Sequence, residues 1–367
     1  MSPPSLRRLL DAALPVGPAA ADPDVAPHYT IVFPPTMLWS NFQRPHNVLT
    51  HLARHHEVRC LFNDWTVRED AAEGGRLIVT RRAFRARYHR RPLVYYYSIP
   101  EKLKYAERLR PDLIVFELMD VPEREFADWK AELPRSLERA DVVRTTSSAI
   151  TAYLQDNFGE ALGGKRISTS YNGVDLELFD PDRAFERPTE LAGVDRPILG
   201  FYGNLDWWID WELIAELARL PEYQVVVIGD TEGKRPRIPA ELRSSSVLWL
   251  GRKPVTELPA YLDAFDVALF PFVINEMTDG VDALKLWEYL AFGKPVLATR
   301  TAFIEARAGL FTLIDRGNAR AAVEAALASA RDPALVAARR AAASERDWKT
   351  IADTLHREIL EALAGRG

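Results

Sequence analysis

The sequence is poor in cysteine and in long apolar runs. It has one cysteine, Cys60, in 367 residues, so an internal disulfide is excluded and a reducing, cytoplasmic compartment is expected. No apolar run approaches the ~20 residues that a helix needs to cross a bilayer. No long apolar core follows the arginines near the N-terminus, so we expect neither a membrane span nor a signal peptide.

Clustered metal ligands and an excess of positive charge are missing as well. We find no Cys/His cluster with metal-ligand spacing and no convincing Asp-x-Asp pair, so we expect no metal or other cofactor. The formal net charge is -5, which gives the molecule as a whole no attraction for nucleic acid. The content of 47% hydrophobic and 27% charged residues is that of a globular protein.

Apolar runs alternate with helical patterns through the first half of the chain. This alternation is typical of a doubly wound parallel sheet. We predict buried strands at residues 29–33, 57–62, 77–80, 92–97, 112–116, 141–145 and 166–170.

A charged, proline-containing segment at residues 176–196 divides the chain, and the same pattern then restarts. We predict further strands at residues 197–202, 224–228, 247–250, 266–270 and 296–298. The sequence therefore predicts two Rossmann-like α/β domains, residues 1–175 and 197–345, with a linker at 176–196. A closing helix at 346–367 is expected to cross back to the first domain.

One stretch of the second half, T-D-G-V-D-A-L-K-L-W-E-Y-L-A-F-G-K-P-V-L-A-T from Thr278, has the pattern of a crossover helix between two strands. Thr278 or Asp279 can cap its start. Gly293 can take the left-handed turn at its end, and Pro295 prevents continuation.

Lys285 and Glu288 lie three apart in this stretch and share one face of the predicted helix. A helix N-terminus, a lysine and a carboxylate suit a nucleotide sugar. The N–H groups and Lys285 would contact the diphosphate, and Glu288 would accept hydrogen bonds from the ribose hydroxyls. The alternative is a buried crossover helix with an ordinary Lys–Glu surface pair.

Polar and aromatic residues follow the first predicted strand. Pro45 suits the first position of a helix and disfavours helical geometry at Arg44, so we expect the helix to begin at Pro45. Trp39, Arg44 and His46 would then lie at the carboxyl edge of the sheet, where open α/β sheets bind ligands. The alternative is that Trp39 belongs to the core and His46 is merely solvated.

Asp120 follows the strand predicted at 112–116, which places it at the same functional edge. The alternative for Asp120 is the N-cap of the next helix, a common place for aspartate.

A basic stretch at residues 81–91 carries six arginines, from Arg81 to the last at Arg91, interleaved with Phe84 and Tyr88. A charge run of this kind is usually a solvated loop. In an otherwise acidic protein it can instead dock an anionic partner, a lipid-phosphate-linked acceptor or the headgroup surface of the inner membrane face.

Several motifs, spread over most of residues 112–300, resemble those of the glycosyltransferases of the GT-B architecture, in which two nucleotide-binding-type domains face a cleft. The resemblance is strongest to bacterial transferases of cell-surface polysaccharide synthesis, of the teichuronic-acid and xanthan-glucuronosyltransferase types. The motifs are D-V-V-R-T-T-S at 141–147 with Y-N-G-V-D at 171–175, G-F-Y-G-N at 200–204, L-G-R-K-P-V-T-E-L-P-A-Y-L-D-A-F-D-V-A-L-F-P-F at 250–272, and K-L-W-E-Y-L-A-F-G-K-P-V at 285–296.

The resemblance implies a UDP- or GDP-linked sugar donor in the second domain and a glycan or lipid-linked acceptor in the first. Glu288 matches the glutamate that holds the ribose, and Lys285 a lysine placed on the diphosphate. Asp120 falls where inverting relatives carry a catalytic aspartate. We assign acceptor binding to Trp39, Arg44 and His46, and donor binding to Gly203, Asn204, Arg252, Lys253, Val255, Asp282, Leu284, Lys285 and Glu288.

The sequence departs from the retaining members of this family in two places. Gly280 stands where they have a second glutamate, and Asn204 and Ile209 stand where they have an arginine and a lysine. Positive charge for the leaving diphosphate must then come from Lys285, the helix N-terminus, and Arg252 or Lys253. We therefore expect a metal-independent hexosyltransferase. The alternatives are a catalytically degenerate nucleotide-sugar-binding protein and a nucleotide-sugar epimerase of the same architecture.

Overall fold

Two α/β units make up the chain in the computed structural model, which describes residues 28–36, 42–64, 71–73, 77–80, 91–230, 238–239, 242, 247–279 and 281–366. The first unit comprises the described residues up to Asn172 together with those from Trp348 onward. The second unit is Gly173–Asp347.

The described part of the first unit contains an eight-stranded sheet of order β3-β4-β2-β1-β5-β6-β7-β8. Its strands are parallel except β3, which pairs antiparallel with β4. All seven strands predicted for this half are present, within two residues at each end. The prediction missed β3, a three-residue edge strand too short to show a period. The strands are β1 Tyr29–Phe33, β2 Val58–Asn63, β3 Ala71–Glu73, β4 Leu77–Thr80, β5 Leu93–Tyr97, β6 Leu113–Leu118, β7 Val142–Thr145 and β8 Ile167–Thr169.

Helices and 3₁₀ turns connect these strands. The helix after β1 begins at Arg44, one residue before its predicted start, with Gln43 at the N-cap. The helices are α1 Arg44–His55, α2 Leu103–Leu109, α3 Leu133–Arg139 and α4 Ser148–Leu162, and the 3₁₀ turns are Pro100–Lys102 and Arg124–Ala131.

The second unit contains a six-stranded parallel sheet of order β11-β10-β9-β12-β13-β14 in its described residues. Its five predicted strands are confirmed, and the two-residue edge strand β14 was missed. The strands are β9 Ile198–Tyr202, β10 Gln224–Ile228, β11 Leu248–Trp249, β12 Val267–Phe270, β13 Val296–Ala298 and β14 Thr312–Leu313. The helices are α5 Trp211–Ala218, α6 Leu258–Ala264, α7 Glu276–Asp279, α8 Leu284–Ala291, α9 Ala302–Glu305, α10 Ala319–Ser329 and α11 Pro333–Ser344.

Two segments link the unit boundaries to the sequence. Residues 176–196, predicted as a linker, lie in the second unit, where Leu178, Phe179 and Leu191 are buried in its core. The closing helix α12, Trp348–Ala364, belongs to the first unit, and Trp348 and Ile359 are buried there. No helix among the described residues is long and apolar enough to span a bilayer.

The crossover stretch differs from its prediction at its start. Helix α8 begins at Leu284 with Ala283 at the N-cap, so Thr278 and Asp279 do not cap it. Asp279 instead accepts a hydrogen bond from the Ala302 backbone N–H at 2.6 Å, at the start of α9. Asp279 therefore serves a helix 23 residues further along the chain, a contact that local sequence does not encode. The helix end is as predicted, with the turn at Gly293 (φ 68°).

Candidate functional site

The backbone of the second unit makes two close turns at the carboxyl edge of its sheet. Gly203 follows β9 with φ 142°, and Gly229 follows β10 with φ 159°. A Cβ on Gly229 would lie 2.0 Å from the Gly203 carbonyl oxygen, so no side chain fits there. The Gly203 N–H donates to the Ile228 carbonyl at 3.0 Å. These contacts bring bare backbone together at the edge where α/β sheets bind ligands.

Lys285, in the first turn of α8, lies directly over this backbone. A Cβ on Gly203 would be 2.7 Å from Lys285 Cε and 3.0 Å from its Nζ. The ammonium also lies 5.4 Å from the ring centre of Phe201 and 5.1 Å from that of Phe272. Aromatic faces attract a cation without neutralising it. The side chain is therefore fixed at the sheet edge with its charge unmatched by contact with an anion among the described residues.

Glu288 lies on the same helix, and both ionisable groups are half-buried. Desolvation lowers the pKa of Lys285 to about 8, against the field of Glu288. Desolvation raises the pKa of Glu288 to about 7, against the Tyr202 hydroxyl and Lys285. Burial thus outweighs the attraction between the two charges, the pattern expected where a site awaits further polar partners.

The other residues assigned to the donor have varied surroundings. Asn204 is half-buried beside Gly203, and Arg252 is exposed. Lys253 donates to Glu190 at 2.5 Å, so its charge is already matched and it is a poorer candidate for the diphosphate than Lys285. Asp282 accepts from the Trp287 indole N–H at 2.5 Å.

Val255 and Leu284 are half-buried, and Val255 packs against the core of the second unit. Ile209 is 2% exposed and pairs with Phe272 in an isolated bridge, so at this position an apolar contact replaces a cation. Gly280 lies outside the described residues.

Asp120, in the first unit, lies two residues after the end of β6 and is exposed. The protein around it raises the pKa of its carboxyl to about 6 by desolvation. The N-cap of the following 3₁₀ turn is Glu123, not Asp120. The capping alternative is therefore excluded, and the carboxylate keeps a pKa suited to proton transfer near neutral pH.

Arg44 and His46 lie inside the first unit, which corrects their assignment to acceptor binding. Arg44 is 3% exposed and pairs with both carboxylate oxygens of Glu117, each at 2.9 Å. His46 is fully buried, accepts from the Gln43 N–H at 3.0 Å, and packs 4.4 Å from the Phe62 ring. Both side chains stabilise the start of α1 and present no surface to an acceptor.

Trp39 and residues 81–90 of the basic stretch lie outside the described residues, so their assigned roles stay predictions. Within the described residues, no group of three or more His, Cys, Asp or Glu side chains could hold a metal ion. The sequence interpretation missed Phe201, Tyr202 and Phe272, which surround Lys285 and Glu288. The motif G-F-Y-G-N contains two of them, but aromatic residues at a strand end usually belong to the core.

Comparison of the sequence with known proteins gives a family and a relative. Residues 196–332 match the family model of the glycosyl transferases group 1. The chain is 31% identical over 173 residues to the putative teichuronic acid biosynthesis glycosyltransferase TuaH of Bacillus subtilis strain 168. That match covers 46% of this chain and 42% of the relative, so it spans less than half of either protein.

Comparison of the structure identifies the fold. Sucrose-phosphate synthase from Thermosynechococcus elongatus superposes with a TM-score of 0.69 at 16% identity, over 92% of this chain and 100% of that one. Anabaena Alr3699/HepE, solved in complex with UDP-glucose, gives 0.62 at 15% identity, over 91% and 100%. An α,α-trehalose 6-phosphate synthase from Burkholderia multivorans gives 0.63 at 13% identity, over 93% and 100%. The two parallel-sheet units have the GT-B fold.

Proposed function

We propose that this chain, whose residues 196–332 are a domain of the glycosyl transferases group 1 family, transfers a sugar from a UDP- or GDP-linked donor to a hydroxyl acceptor. Cell-surface polysaccharide or glycolipid synthesis is the process that fits best. The name of TuaH supports that process, and the UDP-glucose bound to Alr3699/HepE supports the donor class.

The single observation that carries the proposal is the unmatched cation at the carboxyl edge of the second sheet. Lys285 is held by Phe201 and Phe272 over the Gly203 backbone. A diphosphate would supply the missing negative charge. A preorganised donor to a developing anion can be worth ~3 kcal/mol in the transition state.

The start of α8 adds a second source of positive potential. Its N-cap, Ala283, has no oxygen in its side chain and makes no cap hydrogen bond. The first N–H groups of a helix and its dipole favour an anion. We propose that these groups and Lys285 stabilise the leaving diphosphate without a divalent ion. Full activity in a chelator is the expected result, and loss of activity that added Mg²⁺ or Mn²⁺ restores would overturn this part.

Transfer requires one proton to move. The acceptor oxygen bonds to the anomeric carbon, the bond from that carbon to the diphosphate oxygen breaks, and the electron pair leaves with the diphosphate. We propose that Asp120 takes the acceptor proton, because its pKa of about 6 leaves it mostly ionised at neutral pH yet basic enough to share a proton. Deprotonation can lag bond cleavage when the transition state resembles an oxocarbenium ion.

Calorimetry with UDP and GDP tests the donor site. We expect Lys285→Ala and Glu288→Ala each to weaken binding of the preferred diphosphate by about tenfold or more, the usual loss of a hydrogen bond to a charged group. Lys294→Ala is the matched control. Lys294 lies at the other end of the same crossover, donates to the Asp263 and Phe265 carbonyls, and should leave the affinity unchanged. Normal affinity in both site variants would refute the assignment.

Product analysis separates the proposed activity from its alternatives. A transferase releases nucleoside diphosphate from a nucleotide sugar when the acceptor is present, and slowly by hydrolysis when it is absent. An epimerase converts the sugar nucleotide without releasing diphosphate, and a degenerate binding protein does neither. The absence of cationic side chains at Asn204 and Ile209 is what keeps the last alternative in the test.

A further inference from the structure

Tyr202 is the last residue of β9 and is fixed in place by its neighbours. Its side chain is 3% exposed. Its ring meets that of Tyr289 edge-on, with the ring centres 4.9 Å apart and the planes at 78°. Its backbone N–H donates to the Tyr289 hydroxyl at 3.3 Å. The strand and helix α8 therefore set the position of the ring together.

The hydroxyl of Tyr202 lacks a well-formed hydrogen bond. It is buried, and no described residue meets it with normal hydrogen-bond geometry. The acceptor that it influences is Glu288, whose carboxylate it stabilises. Buried hydroxyls nearly always have a partner, so a loose contact to a carboxylate at the edge of a site indicates that the partner changes with occupancy.

We propose that Tyr202 is a positioning residue of the donor site, whose hydroxyl donates to one oxygen of the Glu288 carboxylate and leaves the other oxygen to the ribose. This inference rests on the proposed function, since it needs a nucleotide in the site. It goes beyond it in giving a role to a residue of β9. The hydroxyl keeps the carboxylate ionised and limits its rotation.

The groups that face Glu288 decide how this contact shows itself. They are Tyr202 from β9 and, from α8, Lys285 and Tyr289. Tyr202 and Lys285 hold the pKa of Glu288 down against desolvation. Without the Tyr202 hydroxyl, that pKa rises, so more alkaline solution is needed before the carboxylate can accept hydrogen bonds from a ribose. Affinity for the nucleotide then falls most on the acid side.

The competing explanation is that Tyr202 only packs against Tyr289. Tyr289→Phe is the matched control, since it removes a buried hydroxyl from the other ring of the same pair. The Tyr289 hydroxyl accepts from the Tyr202 backbone, and it does not hold down the pKa of Glu288. A packing defect would weaken binding by the same factor at every pH.

The experiment measures calorimetric affinity from pH 6 to pH 9 for the diphosphate, UDP or GDP, that the unaltered chain binds more tightly. If Tyr202→Phe raises the pKa of Glu288 by about one unit, affinity should fall about fivefold at pH 7 and change less than about twofold at pH 9. Tyr289→Phe should leave the shape of the profile unchanged. Titration of the phosphate itself is common to all variants and cancels in the comparison.

A second variant keeps the test decisive if Tyr202→Phe fails to fold. Replacing Tyr202 with 3-fluorotyrosine retains the ring and makes the hydroxyl a stronger donor, so the midpoint on the acid side should move to lower pH. A Tyr202→Phe profile equal to that of the unaltered chain would overturn the inference, as would equal shifts in both Phe variants or an unmoved midpoint in the fluorinated protein. Failure of the unaltered chain to bind either diphosphate would refute the proposed function, and this inference with it.

Discussion

Two buried glutamates, one in each unit, have opposite properties. Burial in the first unit accompanies a pKa of about 2 for Glu117, because Arg44, Arg144 and Tyr96 overcome its desolvation. Glu288 in the second unit has Tyr202 and Lys285 beside it, and desolvation wins, raising its pKa to about 7. The comparison indicates which buried charges the fold itself satisfies and which it leaves for a ligand.

The surroundings of Glu117 form a closed network. Arg44 pairs with both of its oxygens, the Tyr96 hydroxyl donates at 2.6 Å, and Arg144 donates at 3.2 Å. Arg144 also pairs with Glu358 on α12, which ties the closing helix to the sheet. Each charged group in this network has an opposite charge in contact, so the cluster has a structural role.

The site of the second unit is open by the same criterion. Lys285 has aromatic rings beside its ammonium where Arg44 has a carboxylate. Glu288 has a hydroxyl and a distant ammonium where Glu117 has two guanidinium groups. The fold therefore supplies rigidity around Lys285 and Glu288 without neutralising them, which is the condition for strong electrostatic binding of a nucleotide.

The largest expected effect comes from breaking the closed network. Glu117→Ala leaves two buried guanidinium groups without their anion and should lower the free energy of unfolding of the first unit by about 3–5 kcal/mol. Chemical denaturation monitored by Trp348 fluorescence measures this, because Trp348 lies 5.4 Å from the Arg44 guanidinium. Glu288→Ala, the control in the other unit, should cost little stability or none.

The pH dependence of that loss has a definite sign. The folded pKa of Glu117 lies below its ordinary 4.5, so its contribution is complete above about pH 4.5 and disappears as pH falls through about 2. A Glu117→Ala protein as stable as the unaltered chain at pH 7 would show that the network does not distinguish the two units.

Much of each sheet was predictable because its strands are continuous apolar runs. Residues 224–228 and 296–298 have the predicted bounds, since burial on both faces of a parallel sheet demands such runs. The pairing of Lys285 with Glu288 followed from their spacing on one helix face. These features depend on residues close together in the chain.

The wrong or missing predictions depend on residues far apart in the chain. Arg44 occupies the predicted position at the sheet edge, but its partner Glu117 lies 73 residues away and turns it into the core. Asp279 is used by Ala302 and not by α8. Tyr202 has an ordinary strand pattern, and only the structure brings its hydroxyl to Glu288. Local patterns specify elements, and long-range partners decide which charges remain for function.

A smaller effect is expected from Asp120, which belongs to the first unit but not to its closed network. Asp120→Asn removes the proposed base and should lower turnover ~100-fold or more, with unchanged binding of UDP or GDP. Steady-state kinetics and calorimetry together measure the two quantities. Asp156→Asn, an exposed aspartate of α4, is the matched control and should retain full turnover. Unchanged turnover in Asp120→Asn would remove this residue from the mechanism.

The smallest effect, and the one that most directly tests the contrast between Glu117 and Glu288, is the pH profile of donor binding. Affinity for a UDP- or GDP-sugar needs Glu288 ionised and Lys285 protonated, so it should be highest between about pH 7 and pH 8. It should fall toward tenfold per pH unit on either side. Glu288→Gln should remove the acid limb, and Lys285→Met the alkaline limb. Because Glu117 stays ionised throughout this range, a flat profile in the unaltered chain would mean that Glu288, like Glu117, is already satisfied by the fold.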